Sequence, residues 1–184
     1  MKTSRAVACG GVLFVLVAAA GYAGAAPGDE GDSSADAAHA VSVDLSEVRD
    51  RAEKMPIDER NDIDKRIGIT MERVNREATA KGQRTVATRL ATEFDMTVES
   101  LLDEKGEHGL SFGEIMIART LIANSSATVT LLDLLNLRSE GLGWGAIAFG
   151  LRFHMEDFED AIKSGGRVAM GLSKPGGKAA VIGK

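Results

Sequence analysis

Trp144 is the only tryptophan of the chain and stands between Gly143 and Gly145. An indole set between two glycines can do recognition chemistry. Its face is a large apolar platform for a sugar ring or a partner side chain, and its N–H is a donor. Phe112, followed by Gly113, is a second ring in a similar setting. Phe112 and Trp144 are therefore the candidate ligand or partner contacts. The competing use of such a ring is packing, where flanking glycines admit a neighbouring backbone.

Other chemistry-bearing residues do not converge in the sequence. His39, His108 and His154 are scattered, and none has a second His or a Cys at ligand spacing. His154 beside Glu156 and Asp157 is a weak metal pattern. The carboxylates at Glu156, Asp157, Glu159 and Asp160 read as a solvated helix face. Ser125-Ser126 has no partnering His motif, and Cys9 is the single cysteine. No metal, no cofactor and no catalytic residue is expected. The segment GAIAFGLRF has the I-A-x-x-L spacing of the first helix of a helix-turn-helix. The next helix, HMEDFEDAIK, carries four acids and one lysine, so it would repel phosphates, and nucleic acid is not an expected partner.

The elements that must position the two rings are helical. Asp44 to Lys54 reads as a short first helix. Pro56 suits the first turn of a longer one, with Asp58 and Glu59 where the helix dipole favours negative charge. Ile63, Ile67, Met71, Val74 and Ala78 recur at steps of three and four and form one apolar stripe, which Gly82 ends. A third helix carries Val86, Leu90 and Phe94. A last one, from about Glu156 to Lys163 with Phe158 and Ile162, is expected to end at Gly165-Gly166.

Residues 97–153 repeat. TVESLLDEKGEHGLSFGEIMIARTL answers TLLDLLNLRSEGLGWGAIAFGL at an offset of 33 residues before a one-residue gap and 32 after it. Thr97 matches Thr130, Leu101-Leu102 matches Leu134-Leu135, Phe112 matches Trp144 and Ile115 matches Ile147. The period lies in the range of helix-pair repeats. Each unit carries two helix starts. Thr97 and Thr130 cap the first helices, with Met96/Leu101 and Val129/Leu134 as staple pairs. Ser111 and Glu114 form a capping box for the second helix of the first copy, stapled by Leu110 and Ile115. Gly143 takes the cap position of the second copy, stapled by Leu142 and Ile147. Gly109 and Gly141 close the preceding helices. Because Phe112 lacks the indole N–H, the shared role predicted for the two rings is packing, with Trp144 a core anchor.

The ends of the chain speak to compartment. Lys2 and Arg5 precede an apolar stretch, Ala6 to Ala20, and Ala23-Gly24-Ala25 fits an A-x-A site, so residues 1–25 read as a signal peptide cleaved after Ala25. The alternative is an uncleaved membrane anchor, for which the apolar run is short against the ~20 residues a bilayer needs. Cleavage removes Lys2 and Arg5 and no acid, so 22 Lys+Arg against 27 Asp+Glu becomes 20 against 27, a net charge of −7. It also removes Cys9, leaving no disulfide staple. Residues 26–40 are small and acidic and read as a flexible linker. Residues 41–95 are N-terminal helices forming one domain with the repeat region 96–164. Residues 165–184 read as a basic glycine-rich tail without stable structure.

GLGWGAIAFGL with the upstream LLNLRSE resembles a family of small exported bacterial helical proteins that share an L-x-x-L-R-x-E-G-L-G-W-G-x-I-A pattern, and the GRVAMGLSKPGGK tail is similar too. The resemblance covers roughly the last hundred residues and implies export and a helical fold but no activity. The first copy departs from the pattern by an extra residue in EKGEHGLSFG and by Phe112 in place of Trp.

The expected fold is all-α, N-terminal helices followed by a helix-loop-helix repeat bundle. The expected function is that of a non-enzymatic exported or periplasmic interaction protein, its partner a protein or envelope component, since stacked helix pairs build binding surface without chemistry. The alternative is a small-ligand or cell-wall binding module using the Trp144 and Phe112 loops, and an enzyme comes third. A membrane is a partner only if the signal segment is retained.

Overall fold

The computed structural model describes residues 43–176, so residues 1–25, expected to be a signal peptide, residues 26–40, expected to be a linker and including His39, and the last eight residues lie outside the described residues. The described chain is all-α, with eight helices: α1 Leu45–Glu53, α2 Ile57–Lys81, α3 Gln83–Glu93, α4 Val98–Glu107, α5 Phe112–Asn124, α6 Leu131–Ser139, α7 Trp144–Gly150 and α8 Met155–Ala169. None of them is long and apolar enough to cross a membrane.

α2 is the spine. Its apolar stripe buries Ile63, Ile67, Val74 and Ala78, with Met71 half-buried, and α3, α5, α7 and α8 all pack along it. α5 is the central helix. Phe112, Ile115, Met116, Ile117, Ala118 and Leu121 are all buried, so it is apolar on nearly every face and finds neighbours on each. Its one buried hydroxyl, on Thr120, donates to the Met116 carbonyl at 2.8 Å, which removes the cost of an orphaned donor. α4 packs on α3, α6 on α5, and α1 lies across α7. The last contact is close because Gly150 has no side chain: a Cβ there would sit 2.4 Å from the Val48 carbonyl oxygen.

The helix starts follow the expected chemistry. Thr97 Oγ accepts from the Ser100 amide at 3.0 Å, and the Ser111–Glu114 box is complete, with bonds of 3.2 Å and 2.9 Å in its two directions. α6 carries a second full box that the sequence reading did not single out: Thr130 accepts from the Asp133 amide at 3.2 Å, and Asp133 accepts from the Thr130 amide at 2.9 Å. The signal was a T-x-x-D in place of the more usual S/T-x-x-E.

One boundary needs correction. α8 does not stop at Gly165-Gly166 but runs to Ala169, burying Val168 and Ala169. The glycines serve a contact rather than a stop. A Cβ on Gly166 would lie 2.5 Å from Thr70 Cγ2, so its absence lets α8 settle onto α2. The helix ends instead at Gly171, in the left-handed region at φ 70°. The described part of the tail is then clipped to α3, where Arg89 donates to the Ala169 carbonyl at 2.9 Å and the buried Glu93 carboxylate accepts from the Gly176 amide at 2.7 Å.

Candidate functional site

The two aromatic positions occupy the same place in their copies, the first residue of α5 and the first residue of α7. Both are buried, with Phe112 3% and Trp144 5% exposed, so neither ring offers a face to solvent. Each carries a cation supplied by the helix before it. Lys105 Nζ lies 5.4 Å from the Phe112 ring centre, and the Arg138 guanidinium carbon 5.1 Å from that of Trp144. Lys105 and Arg138 are themselves 33 residues apart, the offset that holds before the gap. The cation–ring pair is thus a duplicated unit, which joins the end of one helix to the start of the next through the ring quadrupole. Arg138 also donates to the Leu142 carbonyl at 2.6 Å, which fixes its plane.

α2 meets both starts with a small polar side chain. Asn75 Oδ1 accepts from the Gly113 amide at 2.9 Å, and Asp64 Oδ1 accepts from the Gly145 amide at 2.9 Å. Gly113 and Gly145 are each the second residue of their helix. In the first copy this bond supplements the local Ser111–Glu114 box. In the second it substitutes for one, because Gly143 has no side chain with which to cap. The carboxylate of Asp64 also places a negative charge at the positive end of the α7 dipole. A side chain on the neighbouring glycines would obstruct both joints: a Cβ on Gly113 would sit 2.8 Å from Met71 Cα, and one on Gly143 would fall within bonding distance of the Asp64 carboxylate, 1.8 Å from Oδ2.

Trp144 Nε1 is buried and has no hydrogen-bond partner among the described residues. A buried unpaired donor costs about 1–3 kcal/mol, so this joint is less well satisfied than its counterpart with Phe112.

The remaining chemical candidates are dispersed. His108 ends α4, half-buried, and His154 is the exposed residue before α8, with no side-chain bond to the helix start. Among the described residues, no group of three or more His, Cys, Asp or Glu could hold a metal ion. The acidic run of α8 divides. Glu159 receives both Arg66 Nε at 3.0 Å and Nη2 at 2.6 Å, Asp160 pairs with Lys163 at 2.9 Å, and Glu156 and Asp157 sit exposed in the first turn. Ser125 follows the last turn of α5, and its hydroxyl accepts from the Ala127 amide at 3.3 Å. The residues that sequence reasoning missed are Asp64, Asn75, Lys105 and Arg138. The last two were legible, since they recur at the repeat offset. The first two act across 81 and 38 residues of chain, and no local pattern marks such a bond.

No protein-family model matches the chain, and no curated protein or solved structure matches it either.

Proposed function

We propose that the protein is a non-enzymatic, exported helical interaction protein of the bacterial envelope, cleaved after Ala25, whose partner docks on the second copy of the repeat. The observation that carries this reading is a difference between matched surface positions. In the first copy, Glu99 of α4 is exposed and pairs with Arg84 of α3 at 2.8 Å. Its counterpart in the second copy is Leu132 of α6, 59% exposed, beside half-buried Leu131 and Leu135. Where the first copy has a solvated ion pair, the second presents Leu132 beside the exposed parts of Leu131 and Leu135, and this apolar edge is the contact we assign to the partner. The fused repeat and the resemblance to small exported proteins support the same reading.

The test is cross-linking in intact cells followed by co-purification, with the native chain and with Leu132→Glu, which restores the acid of the first copy. The native chain is expected to retain one specific partner that Leu132→Glu loses while its melting is unchanged. Equal capture by both chains would overturn the reading. N-terminal sequencing of the protein from its host tests export: an N-terminus at Ala26 is expected, and an intact Met1 in the membrane fraction would favour the anchor.

A second reading, a small-ligand or cell-wall module at the Trp144 and Phe112 loops, draws on the unpaired Trp144 Nε1. It requires the ring to be reachable, so ready acrylamide quenching of Trp144 fluorescence in the folded protein would move it to the front.

A further inference from the structure

Five of the described helices end in the same way. The residue after the C-cap has a positive φ in α3 (Asp95, 53°), α4 (Gly109, 65°), α6 (Gly141, 91°), α7 (Arg152, 68°) and α8 (Gly171, 70°). Glycine enters this left-handed region without a Cβ clash, and aspartate is one of the few other residues that visit it. Arginine is neither. The hydrogen bonds that close α7 run from the Arg152 amide to the Phe149 carbonyl at 2.9 Å and from the Phe153 amide to the Ala148 carbonyl at 3.0 Å. Glycine would make both equally well. What position 152 has that glycine lacks is a guanidinium. That side chain is exposed, and among the described residues it forms no ion pair or hydrogen bond. A non-glycine residue held at an unfavourable φ without a structural duty is where a functional role is to be sought.

Arg152 lines a cleft of about 250 Å³ between the start of α1, the α5–α6 loop and the turn after α7. The other charges of the cleft are already engaged. Asp44 accepts from the Ser46 amide at 2.9 Å and hydroxyl at 2.7 Å, which holds its carboxyl below the ordinary value. Glu47 pairs with Arg51 at 2.9 Å, and Arg51 also donates to the Gly150 carbonyl at 2.7 Å. Arg152 forms an ion pair with neither carboxylate of the cleft, and its guanidinium edge is open. Ser125 and Ser126 add hydroxyls, and Val43, Val48 and Leu151 add an apolar wall.

We propose that this cleft binds a carboxylate that carries a small apolar group, with the Arg152 guanidinium as its planar fork and the Ser126 hydroxyl as a second donor. A planar, singly charged group matches the two-donor edge of a guanidinium. Asp44 and Glu47 in the same cleft disfavour a doubly charged anion such as phosphate. The cleft shares no lining residue with α6, and the inference does not depend on the partner-binding reading.

The test is an NMR titration of the full chain with N-acetyl-L-alanine and, as the neutral control, N-acetyl-L-alanine methylamide. The acid is expected to give saturable shifts centred on the Arg152 and Ser126 amides, and the neutral amide at least tenfold weaker binding. Arg152→Gly is expected to weaken the acid at least tenfold while melting at the same temperature or higher, since the backbone there then relaxes. Arg152→Lys, which keeps the charge and loses the fork, should bind between the two. Absence of saturable shifts, equal binding of acid and amide, or an Arg152→Gly chain that melts several degrees lower would each overturn the proposal. With acid binding established, a tetrapeptide ending in alanine that binds more tightly than N-acetyl-L-alanine assigns the carboxylate to a polypeptide end, and a weaker one assigns it to a free small acid.

Discussion

The two copies of the repeat reach the same joint by different means. In the first, the start of α5 is capped by its own neighbours, Ser111 and Glu114, and Asn75 of α2 adds one bond. In the second, the start of α7 has a glycine where the cap should be, and the carboxylate of Asp64 does the work from across the fold. The first copy buries a phenyl ring with nothing to satisfy, the second an indole whose N–H is unpaired among the described residues. The comparison shows that a helix start can be fixed locally or by tertiary contact. α5, with 13 residues and a self-contained cap, has local means to begin as a helix; α7, with seven residues, depends on the spine beneath it.

This contrast can be broken most forcefully at the rings. Trp144→Ala is expected to cost about 3–5 kcal/mol, the range for deleting a large buried aromatic, and a loss of that size consumes much of the stability of an ordinary domain. Trp144→Phe should be much milder, because it imports the first copy's solution and removes the unpaired N–H. Urea melts followed by circular dichroism rank the two variants. The emission of Trp144, the single tryptophan, should be blue-shifted in the folded chain and move to the red on unfolding. A water-like maximum before unfolding would sink the buried-anchor assignment.

The glycines come next. Gly113→Ala places a methyl group against the backbone of Met71, which cannot move without shifting α2, so a loss of about 1–3 kcal/mol is expected. Gly106→Ala is the control: nothing lies within 4 Å of its Cβ position, and the residue is helical, in the last turn of α4, so the chain should become slightly more stable. Thermal melts that rank these two in the opposite order would show that the joint is looser than described.

The caps sharpen the comparison at smaller scale. Ser111→Ala should cost about 1 kcal/mol, as cap removals do, with Asn75 still holding the Gly113 amide. Asp64→Ala should cost at least as much, since it removes the side-chain bond to the Gly145 amide, for which Gly143 offers no local substitute. Hydrogen exchange separates the two cases. Asp64→Ala should speed exchange in α7 and leave α5 untouched, and uniform exchange in both helices would argue against a tertiary cap.

The smallest effect is electrostatic. Arg49 holds the Glu140 carboxyl below the ordinary value, chiefly through hydrogen bonding, and the Ser46 hydroxyl and amide do the same for Asp44. A depressed folded-state value means that the stabilisation is present in full above the unfolded values, near 4, and is lost as pH falls through the lower folded ones. Stability should therefore be flat in these terms from neutral pH down to about pH 5 and fall below about pH 4. Glu140→Gln should flatten that fall slightly. Because both side chains of the pair are exposed, 0.5 M salt should shrink the difference between the variant and the native chain.

The sequence by itself determined most of what is local. The stripe of Ile63, Ile67, Val74 and Ala78, the cap residues Thr97, Ser111 and Thr130, and the closing glycines Gly109 and Gly141 were all legible, because each depends on residues within a few positions of one another. The repeat itself was legible for the same reason, and it pointed to Phe112 and Trp144 as one position. Only the tertiary structure decided what happens between distant segments. Gly165-Gly166 carried every local mark of a helix end, yet α8 continues through it because Gly166 lets it rest against Thr70. Asp64 and Asn75 look like ordinary polar residues of an amphipathic helix until α5 and α7 set their amides against them. Hydrogen-bond geometry and close backbone approach are properties of two surfaces brought together, and one stretch of sequence holds only half of each.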